Sequence, residues 1–429
     1  MTSHEPTIAS VRAREVLDSR GRPTVEVDLE LTDGALGRAS VPSGASTGRH
    51  EARELRDHDA RRFDGHGVLA AVAQVRGTIG PALVGRSPFD QRRLDSVLIE
   101  LDGTPDKSRL GANAVLAVSI AAAHAAANSN RVPLWRHLGG GDVLPLPMVN
   151  ILSGGLHAEG GLAFQDFLVV PVGAGSFSEA IEMVFDVRAA AGELLRERGL
   201  SVLKADEGGF GPSLPGPEAA LDLLAAAVHR TGRALGDEIA FAVDVAATHF
   251  FDDGLYRLPE APAGTDAAGM VEALERLVER YPLVSIEDGV AEDDWEGWAL
   301  LTARLGGRIQ ILGDDLFTTS AARLARGVAE GVANAVLVKM NQIGTLTETM
   351  DVIEQAQGER YATVVSARSG ETEDSFIADL AVGTSTGQIK IGSLAQSERL
   401  AKYNQLLRIE EELGTDAHFA GRNALAPHR

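Results

Sequence analysis

The chain contains no cysteine. That excludes disulfides, thiolate metal sites, iron–sulfur clusters and cysteine nucleophiles together, and it fits a cytoplasmic protein. Basic residues are in the minority: 40 Lys+Arg face 61 Asp+Glu, a formal net charge of −21. Such a chain repels phosphate backbones and anionic lipid, which argues against nucleic acid as the main partner and against a membrane surface. An anionic substrate then needs metals or local cations to invert the field at its site. The N-terminal residues MTSHEPTIASVRAREVLDSRG hold no apolar core of signal-peptide length. Long hydrophobic runs are missing too. The longest uncharged stretch, residues 110–130 (LGANAVLAVSIAAAHAAANSN), is interrupted by Asn, Ser and His, and reads as a buried Ala-rich helix rather than a membrane span. There is no internal repeat, low-complexity tract or long single-sign charge block.

What is present is an ordinary globular composition, 44% hydrophobic and 24% charged over 429 residues. At roughly 150 residues per domain this suits about three domains, or one large barrel with a smaller companion. Residues 24–31 (TVEVDLEL) alternate apolar and acidic side chains, the signature of a half-exposed strand. Residues 35–41 (ALGRASV) supply a hairpin partner across the Asp33-Gly34 turn. Together with the Ala-rich helix they predict a small α+β N-terminal domain over residues 1–138, ending in the Gly/Pro-rich stretch HLGGGDVLPLP. From 139 to 429, short apolar runs end in a polar residue and precede helical stretches. Residues 270–281 carry Val271, Leu274, Leu277, Val278 and Tyr281 on one stripe, Pro282 stops the helix, and LVSI follows as a buried strand. This alternation predicts a (β/α) barrel, with an open doubly wound sheet as the alternative.

Barrel chemistry sits at the C-terminal ends of the strands. The apolar runs end at Asp244, Glu287–Asp288, Asp314–Asp315, Lys339, Arg368–Ser369 and Lys390. Three successive strands therefore offer carboxylates and three offer cations. Any one acid could be a helix N-cap, but carboxylates on three adjacent strand ends predict a hard divalent cation such as Mg²⁺. Spacing leaves open which acid of each neighbouring pair is the ligand. Lys339 and Lys390 are either proton-transfer groups, with a pKa lowered by a metal and a second lysine, or partners in buried salt bridges. A base beside a metal is the equipment for removing a proton α to a carboxylate. The loop at residues 43–48 (SGASTG), His157 in SGGLH before Gln165-Asp166, and Glu207 in ADEGGF are weaker signals. A lone loop histidine is usually exposed, and an acidic pair beside glycines is usually an ordinary turn.

These segments together resemble enolase. The resemblance runs from AREVLDSRGRPTVEV, beginning at Ala13, to AKYNQLLRIEEEL, ending at Leu413. It is carried by VPSGASTG, GAN, DEGGF, SIED, GDDLF, KMNQIGT, RSGETED and SERLAKYNQLLRIEEEL. It implies an N-terminal α+β domain before a modified (β/α)8 TIM-type barrel, commonly in a homodimer or larger homo-oligomer. It also implies Mg²⁺-dependent dehydration of 2-phosphoglycerate to phosphoenolpyruvate with two ions per site. By the same resemblance, Asp244, Glu287 and Asp314 hold the first ion, and Ser43 joins the second ion and the phosphate. Lys339 takes the α-proton, Lys390 and Gln165 contact the carboxylate, Arg368, Ser369 and His157 contact the phosphate, and Glu207 assists loss of the C3 hydroxyl.

The departures fall on the leaving-group side and the closing loops. By the resemblance Asp166 is the catalytic partner of Glu207 on the leaving-group side; it stands where enolases carry Glu, retracting that carboxylate by about 1.5 Å. Ala367, in SARSGE, stands where they carry His. Gly289 replaces the proline after SIED, THF at 248–250 replaces SEF, and the histidine loop reads SGGLHAEG. Asp166, His249 and Glu159 are the candidates to cover for the missing histidine. This pattern predicts that proton abstraction survives while the substrate differs. The expectation is a phosphorylated or phosphonylated carboxylic acid, as in carboxyphosphonoenolpyruvate synthase of phosphonate natural-product biosynthesis. An ordinary enolase and a catalytically silent paralogue are the alternatives.

Overall fold

The computed structural model describes residues 5–44, 47–158, 162–259 and 261–426. Ala45 and Ser46 of the SGASTG loop, and Glu159 and Gly160 after His157, lie outside these residues.

In the N-terminal part, β1 (Ile8–Leu17), β2 (Pro23–Leu31) and β3 (Leu36–Ser40) form an antiparallel meander. The alternation in β2 has the expected consequence: Val25, Val27, Leu29 and Leu31 are buried, with Glu26, Asp28 and Glu30 only half-buried between them. Gly34 turns the hairpin at φ +87°, and Asp33 accepts the Ala35 N–H at 3.0 Å. Across β2 and β3 lies α1 (Ala112–Asn130), buried on nearly every side. Its alanines have a packing reason. A Cβ at Gly37 of β3 would collide with the backbone of Ala121 and Ala125, so the sheet and helix meet almost backbone to backbone. No helix among the described residues is long and apolar enough to cross a membrane.

The barrel opens with two strands in succession, β4 (Leu146–Ser153) and β5 (Asp166–Val170), followed by two helices, α2 (Phe177–Glu197) and α3 (Pro217–Thr231). Six further strands then come, each followed by a helical segment: β6 (Ala240–Asp244), β7 (Leu283–Glu287), β8 (Gln310–Gly313), β9 (Ala335–Val338), β10 (Ala362–Ser366) and β11 (Gly387–Lys390). The sheet closes in the order β7-β8-β9-β10-β11-β4-β5-β6. β5 runs antiparallel to both neighbours, β4 and β6. Strict strand–helix alternation therefore fails over the first quarter of the barrel. A hairpin-like connection needs no crossover helix, and it brings the start of β5, not its end, to the mouth.

The helices outside follow the sequence pattern. The helix Ala267–Arg280 starts at Asp266, whose carboxylate accepts the Gly269 N–H at 2.9 Å, and buries Val271, Leu274 and Leu277. Caps on the helices after β7, β8 and β9 come from Asp294, Ser320 and Thr345. The acids at the strand ends are thus not the helix caps, which removes the ordinary explanation for them. Inside the barrel, Leu146, Met148, Leu168, Ala242, Leu312, Leu337 and Val364 form a packed apolar core beneath the mouth.

Candidate active site

The strand register sets the floor of the site. Asp244 is level with both Glu287 and Asp166, and Ser366 is level with Lys390. These charged groups converge on one face because the ladder holds their Cα atoms in step. Asp244, Glu287 and Asp314 are all buried. Lys390 Nζ donates to Asp244 Oδ2 at 2.9 Å and to both Glu287 oxygens at 2.8 and 2.7 Å. Lys339, directly after β9, donates to Asp314 Oδ2, and Gln342 Nε2 holds Asp314 Oδ1 at 2.8 Å. Gln165 Nε2 donates to Asp244 Oδ2 at 3.2 Å, and its buried Oε1 has no hydrogen-bond partner among the described residues.

This floor contains one more carboxylate than ammonium group, and the titration directions say so. Burial opposes the charge of Asp244, but Lys390 outweighs it and holds that carboxyl below its usual range. Burial and the neighbouring Asp244 charge push Glu287 well up. Lys390, although burial works against it, is raised by Asp244 and Glu287. Burial likewise opposes the Lys339 charge, yet Asp314 raises this lysine above its ordinary value. Of the two alternatives, the buried salt bridge is the one this site displays. The carboxylate opposite Lys339 decides the sign.

Asp288 and Glu287 face different partners. The two Asp288 oxygens accept the backbone N–H groups of Asp314 and Asp315 at 2.9 and 2.8 Å, so Asp288 braces the turn after β8 while Glu287 faces Lys390. Asp315 is pushed up to about 8 by burial and by Asp314. Among the described residues, two sets bring three ligand atoms within 4.8 Å of one another: Asp288–Asp314–Asp315 and His157–Asp166–Glu207. Of the carboxylates expected as ligands from sequence, Asp314 belongs to the first set, while Asp244 and Glu287 converge on Lys390.

On the opposite flank, Arg368 lies buried with Nη1 and Nη2 each 3.1 Å from a Glu51 oxygen, and Nη1 2.8 Å from Asn341 Oδ1. Ser43 is laced to Gly370, next to Ser369, by N–H···O bonds of 2.8 and 2.9 Å, and its hydroxyl accepts from Arg56 at 2.8 Å. The N-terminal domain thereby supplies one wall of the barrel mouth. Below this wall the wholly buried Arg399 donates to the carbonyls of Arg368, Ile391 and Ser369 at 2.6, 2.9 and 2.7 Å.

His157 is buried, not exposed, with Nδ1 3.0 Å from Asp166 Oδ2 and Nε2 3.9 Å from Glu207 Oε1. Glu207 is buried as well, since the ADEGGF segment pairs with β4 through Phe210. Burial alone would lower His157, but Asp166 and Glu207 outweigh it and push it up to about 9. Burial would raise Glu207, but His157, Arg399 and Lys390 hold it below the usual carboxylate range. Ala367 is buried, its N–H bonded to the Lys390 carbonyl at 2.9 Å. His249, after β6, keeps part of its surface open to solvent, and the desolvation of its packed side lowers its pKa against the opposing pull of Asp244.

The sequence reading missed Glu51, Asn341, Gln342, Asn150, Ser153 and Arg399. Asn150 carried a legible signal, as an amide inside the apolar run LPMVNILS, where every residue of β4 is buried. The others signal nothing in one dimension.

Two family models account for nearly the whole chain: the enolase N-terminal domain over residues 8–138, and the enolase C-terminal TIM barrel domain over residues 141–428. The chain belongs to the enolase family. It is accordingly a hydro-lyase of the enolase type, from a family that uses Mg²⁺ and acts on a small phosphorylated acid.

Proposed function

We propose that this enolase-family chain dehydrates a 2-phosphoglycerate-like acid, removing its α-proton and C3 hydroxyl to give a phosphoenolpyruvate-like product. The observation that carries the reading is the strand-end floor: Asp244, Glu287 and Asp314 set against Lys390 and Lys339, with one carboxylate in excess. Hard oxygen donors with surplus negative charge fit Mg²⁺. Asp244, Glu287 and Asp314 would hold one ion, and Ser43 would face a second from the loop. The chemistry supplied by the bound metal is charge neutralisation at the substrate carboxylate.

The chain's own residues then divide the work. Lys339 Nζ takes the α-proton, which requires that the Asp314 carboxylate first be engaged elsewhere. Lys390 and Gln165 orient the substrate carboxylate. Arg368, Ser369 and His157 hold the phosphorus end. Glu207 faces the leaving hydroxyl, with Asp166 on the same side. The protein works as a homodimer or larger homo-oligomer.

The finer reading is a modified substrate carrying extra bulk at phosphorus, as in carboxyphosphonoenolpyruvate synthase. Its support is the set of departures on the leaving-group side and the closing loops, among them the small, buried Ala367 where enolases carry His. Ordinary dehydration of 2-phosphoglycerate is the second reading, favoured by the unaltered Lys339, Lys390, Arg368 and Ser369.

The test is incubation with Mg²⁺ and 2-phosphoglycerate in deuterated water, followed by NMR. Exchange of the α-proton with little product supports the modified substrate. Efficient conversion to phosphoenolpyruvate supports the ordinary enolase. Absence of both, with no Mg²⁺-dependent stabilisation, counts against the reading as a whole.

A further inference from the structure

Asp166 was expected to be a shortened partner of Glu207, misplaced by its missing methylene. Its surroundings say otherwise. The side chain is wholly buried, and both oxygens are already engaged. Oδ1 accepts from Asn150 Nδ2 and, at 3.0 Å, from the Ser153 hydroxyl. Oδ2 lies 3.0 Å from His157 Nδ1. Asn150 Nδ2 also donates to Ser153 Oγ at 2.9 Å, so the two donors brace each other. The arrangement is built into the fold at three points. Antiparallel β5 begins at Asp166, level with Ser153 of β4, which puts the carboxylate beside its donors. Gly209, in the segment carrying Glu207, has to be glycine because a Cβ there would lie 2.6 Å from Asn150 Oδ1 and 2.8 Å from Ser153 Oγ. The third point is His157 itself, which spans the gap from Asp166 to Glu207.

We propose that Asp166 is a positioning residue: it fixes His157 by Nδ1 and turns Nε2 toward Glu207 and the leaving-group side, and it serves the reaction only through that imidazole. A carboxylate with two fixed donors on one oxygen cannot swing to meet a substrate without leaving the Asn150 amide and Ser153 hydroxyl unsatisfied in the interior. Orientation of an imidazole through Nδ1 by a buried carboxylate selects which nitrogen is presented. Its length suits this role. With one more methylene, about 1.5 Å, the carboxylate would overrun the Asn150–Ser153 pair and crowd His157. The proposal rests on the enolase-type reading for its function, but not for its geometry.

The test has two arms. The first is NMR on the full chain labelled with 15N-histidine, with Mg²⁺ alone as the added probe. His157→Gln identifies the His157 signals. A downfield, slowly exchanging Nδ1 proton is expected in the unaltered protein and lost in Asp166→Asn, with the Nε2–H tautomer growing in its place. An Nδ1 signal unaffected by Asp166→Asn overturns the proposal. The second arm is a double-mutant cycle with Mg²⁺ and 2-phosphoglycerate, reading product formation and α-proton exchange. Asp166→Asn and His157→Gln together are expected to slow product formation no more than His157→Gln alone, with exchange less affected. Multiplying losses would mean that Asp166 acts directly, and overturn it. If 2-phosphoglycerate neither exchanges nor reacts, the functional reading has failed, and the imidazole signal still decides the pairing. Asp166→Glu separates shape from charge: it retains the carboxylate and is expected to lose the same proton signal.

Discussion

Lys390→Met removes the ammonium that stands between two buried carboxylates. Side-chain exposure at Lys390, Asp244 and Glu287 is 6%, 4% and 2%, so solvent cannot take over. Deleting one partner of a buried pair costs about 3–5 kcal/mol, because the charge left behind is uncompensated. Here two carboxylates are left, and Glu287, already pushed well up by burial and Asp244, can take a proton and relieve part of the repulsion, so the lower end is expected. The same deletion opens the carboxylates to a divalent ion. An ion that binds only the folded state adds about 2.7 kcal/mol at one hundred times its dissociation constant. The variant should therefore be strongly destabilised in EDTA and recover more than the unaltered protein does on adding Mg²⁺. Urea unfolding followed by the fluorescence of barrel residues Trp295 and Trp298 reads both quantities. A loss under 1 kcal/mol in EDTA, or equal stabilisation of both proteins by Mg²⁺, would refute the reasoning that Lys390 and the cation compete for Asp244 and Glu287.

Other consequences follow from particular contacts. Gly37→Ala should cost at least about 1–3 kcal/mol, since its Cβ meets the backbone of α1 rather than a movable side chain; urea midpoints check this, and α-proton exchange should survive in the folded fraction. The imidazole of His157 is raised to about 9 from its ordinary 6.5, so its contribution, up to about 3 kcal/mol, is complete below pH 6.5 and lost as pH rises through 9. Melting temperatures of the unaltered protein and His157→Gln should accordingly differ most near pH 6 and converge above pH 9, and a gap that widens with pH would contradict the pairing. Arg399→Met leaves three buried carbonyls without their donor and should cost about 3 kcal/mol or more, while weakening retention of inorganic phosphate at Arg368 and Ser369, measured by calorimetry with Mg²⁺ present.

Much of the site was legible from chain order. Asp244, Glu287, Asp314, Lys339 and Lys390 each end an apolar run, and a strand's end is a property of the run itself. The alternation of β2, the stripe of the helix at 267–280, and the Ala-rich helix follow from periodicity alone, because a strand and a helix each repeat their faces at a fixed interval. The departures Asp166 and Ala367 are visible only against the enolase motifs, not from periodicity.

Tertiary structure decided the signs and the partners. Spacing treats Glu287 and Asp288 alike; the fold turns Asp288 onto the backbone amides of Asp314 and Asp315 and Glu287 onto Lys390. No pattern foretold that β5 runs against its neighbours, yet that reversal is what sets the start of a strand, Asp166, among the ends of the others. Lys339 reads in one dimension as either a base or a salt-bridge partner, and its partner, Asp314, lies 25 residues away. His157 looked like an exposed loop residue, and became a buried link between Asp166 and Glu207. The physical reason is common to all of these. Residue type and periodicity fix what a side chain can do and which face it occupies, whereas its charge, orientation and partner depend on Coulomb and hydrogen-bond terms that act over a few ångströms. Only the closed barrel brings those groups within that range.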